Sequence, residues 1–237
     1  MMKPILMIKA GTTFPRIRAN CGDVEKWYLD ALGPLAGHAR VCAAYEGDPL
    51  PPAESISAVI ISGAHCMVTD KEPWSEQMAS WLPAVIARGV PVLGVCYGHQ
   101  LLTHALGGQV GYHPRGTEEG TFSVEFTPEA SGDPLFGQFP RQIKVHASHS
   151  QTALRLPDGA KVLGANGFEP HHIVQFAPRV WGVQFHPEFT EDIMRLYIEE
   201  DAAALKEEGV NVDAALASVV PTPESNRIIE RFARMII

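Results

Sequence analysis

The chain has 237 residues, 46% apolar and 19% charged, with a formal net charge of −8 at neutral pH. That length suits one well-buried domain, or one domain with an appendage. The acidic balance without a basic block argues against nucleic acid as a partner, and four cysteines with no Cys-x-x-Cys pair fit a reducing cytoplasm, not a disulfide framework.

Residues 4–8 are apolar but too few for a signal-peptide core or a membrane span, so they read as a first core strand. Residues 23–36 read as helix, 39–45 as extended and 57–62 as a buried strand running into Gly63. The loop 64–74 then overhangs that strand's end, with Met67 and Trp74 as candidates to close it. Residues 75–88 read as helix, and 90–95 are a β-branched apolar run suited to a buried parallel strand. This order predicts a three-layer α/β fold, a mostly parallel central sheet with helices on both faces. Its site is expected at the carboxyl ends of the strands.

From about 121 to 185, short β-rich runs broken by Pro and Gly predict a small antiparallel addition. His171 and His172, adjacent there, are expected on opposite faces of a strand, and no zinc-type spacing occurs. The tail reads as a helix over 191–208, a short apolar stretch over 212–220 and a final helix over 225–237 burying Ile228, Ile229, Phe232 and Ile236. The expected organisation is one domain over 1–195 with a C-terminal helical extension, 196–237, packed on it.

Chemistry concentrates at Gly94-Val95-Cys96-Tyr97-Gly98-His99-Gln100. A strand precedes it, a helix of leucines follows, and Gly107-Gly108 stops that helix. Glycines two residues either side of Cys96 make the sharp turn that lifts a nucleophile above a sheet. The helix N-terminus favours a thiolate and offers N–H groups to an oxyanion. Cys21, Cys42 and Cys66 lack such a setting and read as small buried hydrophobes. A base is available in Gly182-Val183-Gln184-Phe185-His186-Pro187-Glu188, where Pro187 stiffens the spacer between an imidazole and a carboxylate.

Together these two motifs resemble the class I, triad-type glutamine amidotransferase domain, in particular the glutaminase domain of GMP synthase and its free-standing relatives. The resemblance covers roughly residues 1–195 and implies a flavodoxin-like sheet. It implies Cys96 as nucleophile, His186 as base and acid, and Glu188 as the group that orients it. It further implies an oxyanion hole from the Gly63 and Tyr97 backbone, and substrate contacts from Gln100 and from the His149-Ser150-Gln151 segment. Glu118 with Gly120 echoes a Glu-x-Gly element to which no catalytic role is assigned. Two departures, Ala64-His65 where the family has Gly-Pro and Gln151 where it commonly has aspartate, point to a non-standard substrate.

No cofactor or metal is implied, and no ATP-binding glycine loop occurs. Three functions stay open. The chain hydrolyses glutamine and releases ammonia for an unidentified acceptor, which a separate synthase subunit would hold; it is a stand-alone hydrolase or transferase of γ-glutamyl amides or peptides; or it is a silent binding subunit. Each takes a small-molecule substrate or ligand, without nucleic acid or membrane.

Overall fold

Apolar side chains of the central strands alternate between two separate cores, and that alternation sets the layers. In the computed structural model, which describes residues 3–236, β1 (Ile5–Lys9) sends Ile5 and Met7 to one face and Leu6 and Ile8 to the other. β3 (Ala58–Ile61) and β4 (Val92–Val95) divide likewise: Ile60 and Leu93 join the first core, Val59 and Val92 the second. With β2 (Ala39–Ala43) and β11 (Val180–Val183) they form five parallel strands in the order β2-β1-β3-β4-β11.

Helices α2 (Val24–Leu32), α5 (Glu191–Glu200) and α9 (Ile228–Arg234) cover the first face with Trp27, Tyr28, Ile193 and Phe232. On the second face lie α3 (Pro73–Ala87) and α4 (Tyr97–Ala105), supplying Met78, Leu82, Leu101 and Leu102. The flavodoxin-like α/β architecture expected from the sequence is the one present.

The antiparallel region takes two forms. β10 (Ile173–Ala177), β9 (Lys161–Ala165), β6 (Glu118–Phe126) and β7 (Gln142–His149) extend the main sheet beyond β11 to nine strands. β5 (Gln109–Tyr112) and β8 (Gln151–Arg155) make a separate two-stranded sheet. His171 and His172 are not in a strand: they lie in the turn that Pro170 opens before β10. There His171 Nδ1 is 2.6 Å from the Ala153 carbonyl.

Three helical expectations change. α1 (Pro15–Cys21) precedes α2 and was not foreseen. The helix expected over 191–208 bends at Asp201 (φ −88°, ψ 3°), dividing α5 from α6 (Ala202–Glu207) and turning Leu205 onto the core. α7 (Val212–Ser218) occupies the next apolar stretch, and the final helix is two pieces, α8 (Pro223–Asn226) and α9. Ile228, Ile229 and Phe232 are buried as expected, Ile236 only half so, and residue 237 lies outside the described residues. Phe232 packs edge-on against Trp181 of β11, with ring centroids 6.1 Å apart.

Candidate active site

The turn after β4 is so tight that it requires glycine on both sides of Cys96. A Cβ on Gly94 would come within 2.4 Å of the Gly98 carbonyl oxygen, and one on Gly98 within 2.6 Å of the Ile61 carbonyl. Between them Cys96 adopts φ 48°, ψ −101°, a backbone that costs a non-glycine residue about 1–3 kcal/mol and persists only where its surroundings hold it. Here the Cys96 N–H donates to the Val183 carbonyl (2.8 Å), and its carbonyl accepts from the Gln100 N–H (3.0 Å). The residue caps α4, whose free N–H groups favour negative charge.

β11 delivers the second group of residues. Beyond Val183 the Gln184 N–H donates to the His172 carbonyl (2.9 Å) and the His186 N–H to the His146 carbonyl on β7 (2.8 Å), so the backbone is clamped as it leaves the ladder. The His186 Nδ1 lies 2.8 Å from Glu188 Oε1, and the ring stacks on Phe189 at 4.1 Å. This pairing leaves Nε2 for the Cys96 sulfur. Burial opposes charge on the imidazole, but Glu188 and Cys96 outweigh it and raise its pKa well above the ordinary histidine value.

Gly63, just past β3, touches both. A Cβ there would lie 2.8 Å from His186 Cε1 and 3.6 Å from Cys96 Cβ. Gly63, Cys96, His186 and Glu188, with Tyr97, line one cavity of about 260 Å³. The Tyr97 side chain turns away from it, stacking on Trp74 at 5.6 Å and bonding to the Ser75 hydroxyl. Trp74 therefore props Tyr97, whereas Met67 lines the cavity itself.

Gln100, His149, Ser150 and Gln151 also border the cavity, but most of their polar groups are already engaged. Gln100 Nε2 donates to the Gln151 carbonyl (2.8 Å) and to Gln184 Oε1 (3.2 Å). Gln151 Nε2 donates to the Thr69 hydroxyl (2.6 Å), while its Oε1 is buried without a partner. His149 places Nδ1 3.0 Å from the Gln151 carbonyl and Nε2 3.0 Å from Glu118 Oε2. Ser150 accepts the His113 N–H at its carbonyl (2.8 Å).

Two residues given no role by sequence reasoning belong to this arrangement. Gln184 is fully buried and holds its Nε2 3.6 Å from the Cys96 sulfur; its place in the His186 motif was the available signal. Glu118 lies between His149 and His172, whose Nε2 approaches it to 3.1 Å, and accepts from Asn166 Nδ2 (2.7 Å). Burial alone would raise the Glu118 carboxyl, but the two imidazoles outweigh it and hold it well below the usual carboxylate range. A second thiol, Cys66, lines the cavity, but burial pushes it up to about 11, so it stays a thiol. Cys42 is buried and Cys21 half-buried, and all four cysteines are unpaired. Among the described residues no cluster of His, Cys, Asp or Glu is arranged for a metal, and no helix is long and apolar enough to cross a membrane.

Comparison with known proteins bears on this site. The family model for "Glutamine amidotransferase class-I" matches residues 40–203. The GMP synthase [glutamine-hydrolyzing] of Aeropyrum pernix is 38% identical over 142 residues, 60% of this chain and 25% of that protein. The chain thus spans about a quarter of the length of that relative. A γ-glutamyl-L-1-hydroxyisopropylamide hydrolase of a Pseudomonas species is 30% identical over 196 residues, covering 78% of this chain and 66% of that one. The crystal structure of a glutamine amidotransferase from Thermotoga maritima superposes with a TM-score of 0.73 at 20% identity, covering 100% of this chain and 99% of that one, a likeness of fold.

Proposed function

Because the chain belongs to the class I glutamine amidotransferase family, we propose that it hydrolyses the side-chain amide of glutamine through a thioester on Cys96. The sulfur attacks the amide carbonyl carbon, and the oxygen gathers negative charge facing the backbone N–H groups of Gly63 and Tyr97. Donors fixed at such a position contribute about 10²–10³ in rate each. His186 passes a proton to the amide nitrogen, the C–N bond breaks, and ammonia leaves a γ-glutamyl thioester behind. Water then gives a proton to His186 and attacks the thioester, releasing glutamate and the sulfur. Glu188 keeps the imidazole oriented, and the wall of Gln100, His149, Ser150 and Gln151 receives the glutamyl end.

The observation that carries this reading is the strained Cys96 elbow sharing one cavity with the 2.8 Å His186–Glu188 pair. In this reading the ammonia goes to a separate synthase subunit, a proposal supported by the likeness to a protein named GMP synthase [glutamine-hydrolyzing]. The unpaired cysteines support a cytoplasmic setting. A second reading, a stand-alone hydrolase of larger γ-glutamyl amides, is favoured by the match over 78% of the chain to a γ-glutamyl amide hydrolase. Both share the thioester chemistry.

Ammonia and glutamate release by the purified chain, beside a Cys96→Ala control and a panel of γ-glutamyl amides, tests the proposal. Cys96-dependent release from glutamine is the expected result. Release only from larger amides selects the second reading, and release that survives Cys96→Ala overturns both.

A further inference from the structure

Beyond the reacting atoms, the cavity carries an unbalanced charge. Glu119, Asp201 and Glu208 line it together with Glu188, and among the described residues no lysine or arginine does so. Glu119 neighbours Glu118 on β6, and the strand's alternation sends the two carboxylates to opposite faces. Glu118 meets histidines, whereas Glu119 faces the cavity, 5% exposed, with its Oε1 lacking any partner. The bend between α5 and α6 brings in Asp201. Glu208, just past α6, accepts the Thr117 hydroxyl at Oε2. Phe14, Trp27, Tyr197 and Leu205 supply apolar and aromatic surface in the same cavity.

A carboxylate withdrawn from water without a counter-ion is costly. Here the effect is visible on Glu119: burial foremost, with Asp201 and Glu208 adding repulsion, pushes its carboxyl up to about 8 despite Ser148 and His186 nearby. Of the histidines that line the cavity, His186 is committed to Glu188 and Cys96 and His149 to Glu118, while burial and the neighbouring His186 hold His65 below the ordinary histidine value. The wall lacks a cation. An alkylammonium chain fits such a surface, its methylenes on the aromatic rings and its charged end among the carboxylates.

We infer that this wall receives an ammonium group on the amine portion of the substrate, so that γ-glutamyl amides of diamines are preferred over neutral amides. The inference rests on the thioester chemistry proposed above. In that chemistry His186 protonates the departing nitrogen. The His186 N–H donates to the carbonyl of His146 on β7, and Glu119 pairs with Ser148 two residues further along the same strand, which sets the acidic wall beside the acid that meets the leaving amine. The atoms balance as for glutamine: the C–N bond breaks, the S–C bond forms, and His186 delivers the proton that the diamine carries away. Water then releases glutamate.

Calorimetric binding to the Cys96→Ala protein separates recognition from turnover. The probes are γ-glutamyl-4-aminobutylamide and the neutral γ-glutamylpentylamide of equal length. The charged probe is expected to bind about tenfold tighter, and an Asp201→Asn/Glu208→Gln double variant to bring the two within about twofold. Equal or weaker binding of the charged probe overturns the inference. So does a double variant that weakens both probes equally, because the wall would then serve the α-ammonium of the glutamyl end. Cys96-dependent hydrolysis of both amides without charge preference keeps the thioester reading and removes this one. A charge preference in binding with no hydrolysis of any amide by the unsubstituted protein keeps the ammonium site and removes the thioester reading.

Discussion

The two walls of the cavity are held by different means. On the strand side, Gly63, Cys96 and His186 follow β3, β4 and β11, where ladder hydrogen bonds hold the backbone and a Cβ on Gly63, Gly94 or Gly98 would come within 3 Å of a neighbour. On the helix side, Asp201 and Glu208 flank α6, a six-residue helix whose one buried residue is Leu205. In the proposed function the reacting groups thus stand on the rigid element, and the carboxylates proposed to meet the leaving amine stand on one with little packing to hold it.

Substitutions on the strand side carry the largest expected effects. Cys96→Ala is expected to lower amide hydrolysis by about 10⁵-fold or more with the fold retained, and Glu188→Gln by about 10²–10⁴. Ammonia release beside far-UV circular dichroism checks both. Substantial activity in Cys96→Ala would end the distinction between the walls. The helical layer makes its contribution as stability. Phe232→Ala, which removes a ring packed on Trp181, is expected to cost about 3–5 kcal/mol in denaturant unfolding. A loss under 1 kcal/mol would mean that the C-terminal helices are only loosely attached.

Within the strand side, Gly63→Ala has a smaller expected effect than Cys96→Ala. Its methyl group would meet His186 Cε1 at 2.8 Å, so kcat is expected to fall about 10²-fold with little change in Tm. An unchanged kcat would remove Gly63 from the site.

The smallest effect belongs to Glu119, at the border of the two walls. Its carboxyl is raised from 4.5 to about 8 in the folded protein. The folded state therefore binds this proton more tightly than the unfolded chain does, and stability is lost as pH rises through that interval. Glu119→Gln is expected to flatten the fall of Tm across the window, and parallel Tm–pH curves would contradict it.

The same division governs what could be read beforehand. The elbow was legible because two glycines, an apolar strand and a leucine-rich helix express one local backbone geometry, and His186-Pro187-Glu188 was legible because proline restricts its own neighbourhood. The bend at Asp201 was not, because Leu205 turns onto a core built by distant strands and helices while apolar spacing continues through the break. Glu118 and Glu119 look equivalent until pairing with His149 and Ser148 assigns each a face. α1 buries Ile17 alone, and β5 is half exposed with a glycine inside, so neither shows a strong period. His171 and His172 sit beside a β-branched apolar run that favours a strand, yet the turn that opens at Pro170 holds them outside it.

Acid-quenched turnover of glutamine and of γ-glutamylpentylamide, followed by mass mapping of the digested protein, tests the central claim most directly. One γ-glutamyl group is expected on the peptide containing Cys96, absent from the Cys96→Ala protein. A label on Cys66, or hydrolysis that proceeds equally well after Cys96→Ala, would contradict it.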